Sequence, residues 1–189
     1  MSLLEIVFAT IGLLLAILTA FIPFFRKIYI VRPELTIEII PDGGKSNRSG
    51  ISAKNDTSKG YIDGNNAIYI FELTWNVNVK ITNNSSVIAY YPKLNFLSEQ
   101  LGFTYLDSLD SNAPIKENES LLLQGKYVMY EESTGKSRTE IKGLPAIFND
   151  LKILLENKNP DKRTFFTLFT NSSTVEKNKY LRRRPVEFK

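Results

Sequence analysis

The chain has 189 residues, a net charge of +4, no cysteine and no histidine. These absences exclude a disulfide framework, thiolate metal sites and every arrangement that needs a histidine base. Zinc, usually held by His or Cys, is not expected, and no metal or cofactor is indicated. The length allows one domain of about 150 residues behind a terminal segment, enough to bury a core without staples. Richness in Asn, Lys and Ile points to an AT-rich bacterial or phage genome.

Ile6 to Phe25 carries no charge and is closed by Arg26 and Lys27. As a helix this run is about 30 Å long, the thickness of a bilayer's hydrocarbon core. No Lys or Arg precedes it, and it is too long for a signal-peptide core. Residues 1–27 are therefore expected to form a transmembrane anchor, with Tyr29 at the headgroup layer. Arg26, Lys27 and Arg32 favour an outside N-terminus and a cytoplasmic domain at the inner membrane. Gly12, Ala16 and Ala20 lie four apart on one face, a small-residue row suited to helix self-association.

Residues 28–175 read as a β domain. Leu35, Ile37 and Ile39 alternate with polar residues, predicting a strand that ends at the turn signal Pro41-Asp42-Gly43-Gly44. Residues 42–66 are polar and are expected to be a long mobile loop, or a hairpin around Gly50-Ile51 and Tyr61-Ile62. The strongest signal follows: Tyr69, Phe71, Leu73, Trp75, Val77, Val79 and Ile81 occupy every second position, a long strand with one buried face. Asn83 to Ser86 is a turn, and Val87–Phe96 is expected as the partner strand, with Pro92 marking a bulge or an edge. Leu121–Tyr130 predicts another strand with Gly125 as a bulge, and Glu131–Lys142 a loop. A short helix near 144–150 and a hairpin of Leu151–Glu156 with Thr164–Asn171 follow; an amphipathic helix through Leu155 is the alternative. Residues 176–189 form a basic tail.

Strands separated by turns, without regular strand–helix alternation, predict an antiparallel β-sandwich. The turn after the long strand, the Tyr-Tyr-Pro strand and the final hairpin make residues 67–171 similar to immunoglobulin-like domains in architecture.

No catalytic residue emerges. Gly43-Gly44-Lys45-Ser46 matches the end of a phosphate-binding loop, but Ile39 stands where the first glycine is needed and no helix follows. Glu131-Glu132 and Asp107/Asp110 read as solvated acids without calcium-loop spacing. Candidate interaction residues are Tyr180, Arg182, Arg183 and Arg184, a basic cluster suited to anionic lipid. No aromatic-interleaved RNA motif accompanies them, so nucleic acid is not the expected partner. The expected function is a non-enzymatic, single-pass membrane module. It binds an unidentified protein partner or assembles with copies of itself, alongside membrane lipid. The alternative is a membrane effector or sensor, a layout some bacterial defence proteins share. Its soluble domain would bind a ligand and drive helix oligomerisation.

Overall fold

In the computed structural model, residues 3–29, 32–56, 58, 62, 64, 66–97, 103–134, 143–172 and 177–188 are described, with the helix side chains described over 7–22. The N-terminal apolar run forms one helix, α1 (Leu3–Tyr29). Eight strands follow among the described residues: β1 (Leu35–Ile51), β2 (Ile68–Asn83), β3 (Tyr90–Phe96), β4 (Tyr105–Leu106), β5 (Ser120–Thr134), β6 (Lys152–Lys158), β7 (Thr164–Thr170) and β8 (Asn178–Leu181). They make two four-stranded antiparallel sheets, ordered β1-β2-β5-β4 and β3-β6-β7-β8. The chain is mainly β, with one apolar core shared by the two sheets.

The period-two signal of β2 becomes one wall of that core. Phe71, Leu73, Trp75, Val77, Val79 and Ile81 are buried, facing Ile153, Leu155 and Phe169 from the second sheet. Burying such side chains contributes roughly 1.5–3 kcal/mol each. Ala146–Asp150 forms a single 3-10 turn that inserts Phe148 between the sheets, with its ring 5.6 Å from Tyr127 and 5.5 Å from Phe103. The hairpin expected after it is present as β6 and β7.

Five local expectations differ. β1 does not stop at Pro41 but runs to Ile51; Gly43, at φ 76°, absorbs a bulge between Pro41 and Gly44 and pairing with β2 resumes. Turn residues act here as a bulge because β2 is long enough to offer a template on both sides. Residues 42–51 of the stretch expected as a loop are thus strand; within the rest of it, 57, 59–61, 63 and 65, Tyr61 among them, lie outside the described residues. β3 does not pair with β2; it crosses to the second sheet and pairs with β6. The cause is the buried amide of Asn83. It donates to the carbonyls of Val87 (2.8 Å) and Ile115 (3.2 Å), and accepts from the Ser85 backbone N–H (3.1 Å) and hydroxyl (2.8 Å). Pro92 does sit at a bulge on the edge strand β3.

Gly125 is not a bulge. It stays in register opposite Val77, and a Cβ there would meet Phe103 Cδ1 at 2.9 Å and the Val77 carbonyl oxygen at 3.1 Å. β5 extends to Thr134, beyond the expected Tyr130.

Candidate functional site

A continuous apolar surface is carried by α1. Every described side chain of the helix, from Val7 to Ile22, is exposed, with Phe8 at 67% and Ile17, the least exposed large apolar one, at 45%. A soluble helix normally buries an apolar stripe against its own domain; here no stripe is buried. Thr19 is satisfied within the helix, its hydroxyl donating to the carbonyls of Leu15 (2.8 Å) and Ala16 (3.0 Å). Gly12 has open space where a Cβ would stand, and Ala16 and Ala20 are exposed on the same row.

The expected crossing of a bilayer by Ile6–Phe25 is not supported. Among the described residues no helix is long and apolar enough to cross a membrane. The backbone of Ile6, Phe25, Arg26, Lys27 and Tyr29 is helical, but their side chains lie outside the described residues.

Of the C-terminal candidates, Tyr180 is built into the second sheet and Arg182, Arg183 and Arg184 follow it. Tyr180 belongs to β8 and pairs with Thr167. The Arg32 guanidinium lies 4.9 Å above the Tyr180 ring and 3.5 Å from Glu34. Arg182, Arg183 and Arg184 are exposed, and Arg184 reaches Glu156 at 4.0 Å. Glu187 pairs with Lys152 at 3.2 Å, so residues 184–187 run along the face of β6 that also bears Leu154. Leu154 and Phe188 are both buried.

A cleft that the sequence did not signal lies where β1 meets the β7–β8 connection. Its volume is about 320 Å³, and Thr36, Glu38, Ile39, Phe169, Asn171 and Lys177 line it beside Asn178. Asn178 spans the cleft floor, its amide accepting from the Ile37 N–H (2.8 Å) and donating to the Ile37 carbonyl (3.0 Å). An isolated Asn in a polar segment gives no warning of such a contact 141 residues away.

Glu132, Asp107 and Asp110 each have partners of their own. Glu132 receives the Lys54 ammonium and the Ser52 hydroxyl (2.7 Å), and these partners hold its carboxyl below the usual range, Lys54 first. Ser52 thus donates its hydroxyl to the Glu132 carboxylate. Asp107 accepts from the Tyr105 hydroxyl (2.7 Å) and the Gln124 N–H (2.8 Å), which lower its pKa in that order. Asp110 closes a turn by accepting from the Asn112 N–H at 2.8 Å. Among the described residues no three acidic side chains converge on a metal position. Gly43–Ser46 lies within β1 and opens no helix. No family model, no curated protein and no solved structure matches the chain.

Proposed function

We propose that the chain is a membrane-associated recognition module: α1 embeds in lipid, and the β domain binds a protein partner or a second copy of itself at the cytoplasmic face. No chemical reaction enters this reading. The observation that carries it is the uniform exposure of the apolar side chains of α1. Ten large apolar side chains in water along one helix are costly, roughly 25 cal/mol for each Å² left uncovered. Lipid, or lipid together with a second helix against Gly12, Ala16 and Ala20, removes that cost. The placement of Arg26, Lys27 and Arg32 directly after the helix supports a cytoplasmic domain.

The cleft between β1 and β8 supports a second reading, a sensor whose ligand binds the β domain and brings helices together. Light scattering of the full chain in lipid nanodiscs separates the two. The module reading expects one fixed number of chains per disc; the sensor reading expects a number that rises with added ligand. A chain that stays monomeric in water and never enters the discs contradicts both.

A further inference from the structure

The end of the β domain nearest the helix is also its basic end. β1 starts at Leu35 and α1 ends at Tyr29, so this end lies within about 20 Å of the helix terminus. Strand pairing decides which turns share it. Leu35 pairs with Asn83, whose amide holds Val87 at the entry to β3. Tyr90 of β3 pairs with Lys158, and Lys158 pairs with Thr164 across the 159–163 turn. Leu181 pairs with Phe166, so Arg182 and Arg183 emerge beside that turn.

Lys162, Arg163, Arg182 and Arg183 are exposed there. Tyr91 is 57% exposed with φ 52°, a strained conformation for a tyrosine, and the Lys158 ammonium lies 5.7 Å from its ring. Most acids of this end are already engaged. Glu34 faces Arg32, Glu156 faces Arg184, and Glu119 accepts from the Lys116 N–H at 2.6 Å. Asp161 and Glu117 are the exposed exceptions.

We infer that this end docks on the anionic headgroups of the membrane that holds α1. Lys162, Arg163, Arg182 and Arg183 face lipid phosphates, and the Tyr91 ring sits among the headgroups, where amphipathic rings concentrate. The occupant follows from charge complementarity and from the short tether. The long strands β1, β2 and β5 then point away from the membrane, presenting their far ends, near Asn47 and Tyr130, to a partner. This inference rests on the lipid-embedded reading of α1.

The chain has no cysteine, so single labels are unambiguous. A fluorophore at Ser86→Cys marks the basic end and one at Asn47→Cys the far end, with the full chain in nanodiscs containing headgroup-nitroxide lipid. The expected result is quenching at position 86 but not 47, stronger with phosphatidylglycerol than with phosphatidylcholine alone. Lys162→Ala and Arg183→Ala each lower the docked-to-undocked ratio about fivefold, the equivalent of one basic residue at an anionic surface. Resident chains with equal quenching at both positions, or none dependent on anionic lipid, overturn the docking surface while leaving the anchor intact. A chain that never enters the discs overturns the anchor as well. No quenching at position 86 on anionic lipid, together with protection of the same turns by added homopolymeric RNA, overturns lipid in favour of nucleic acid.

Discussion

The side chain of Asn178 completes both backbone hydrogen bonds of Ile37, at 2.8 and 3.0 Å, and so does the work of a neighbouring strand. Ile37 stands on β1, an edge strand whose other side is paired to β2. An edge with free N–H and C=O groups invites uncontrolled pairing. Asn178 closes this edge at Ile37, and Pro41, which faces the same way four residues on, has no N–H to offer. One amide thus links β8 of the second sheet to β1 of the first. It also directs any self-assembly away from this part of the edge.

Asn178→Ala removes both bonds and leaves the Ile37 groups beside the cleft. The expected loss is about 1–3 kcal/mol. For a chain of this size that lowers Tm by about 2–4 °C per kcal/mol. Urea denaturation measures it, and an unchanged midpoint would show that the clamp carries no stability.

Asn83→Ala removes four hydrogen bonds from a fully buried amide that redirects the chain into the second sheet. A destabilisation of about 3 kcal/mol is expected, larger than for Asn178, because the Val87 and Ile115 carbonyls lose a donor in the interior. Thermal melting of the two variants side by side tests the ranking.

Gly125→Ala pushes a methyl against Phe103, Leu106 and the Val77 carbonyl, with the nearest approach 2.9 Å. Overpacking of this kind costs about 1–3 kcal/mol. Because the crowding falls on the short strand β4, amide exchange at Tyr105 and Leu106 should quicken more than exchange in β2.

The carboxyls of Glu132 and Asp107 are held below their ordinary values, Glu132 chiefly by Lys54 and Asp107 chiefly by Tyr105. A depressed folded-state pKa gives stability that is present above the unfolded value and is lost as pH falls through the folded one. Protection of the Ser52–Asn55 loop should therefore fall as pH drops below the ordinary Glu value of 4.5. In Glu132→Gln that acid limb should disappear, as amide exchange between neutral and acid pH can record.

Legibility followed how local each signal is. The seven alternating apolar positions of β2 declared a buried face because period two is written in adjacent residues. The hairpin of β6 and β7 was legible for the same reason, with Asn159 and Pro160 between its strands. The sheet assignment of β3 was not legible, since it depends on what the Asn83 amide reaches across space. The β1 bulge was hidden because Gly43 suits a turn and a bulge equally. Of the candidate site, the exposed helix and the arginines were visible in composition, whereas the Arg32–Tyr180 contact and the Asn178 cleft join residues more than 140 positions apart and leave no mark in either segment.

Sedimentation of membranes after alkaline carbonate washing, with the full chain beside residues 28–189, reports whether α1 holds the protein in lipid. The full chain is expected to stay in the pellet and the shortened chain, folded by circular dichroism, to move to the supernatant. A full chain released into the supernatant together with the shortened one would contradict it.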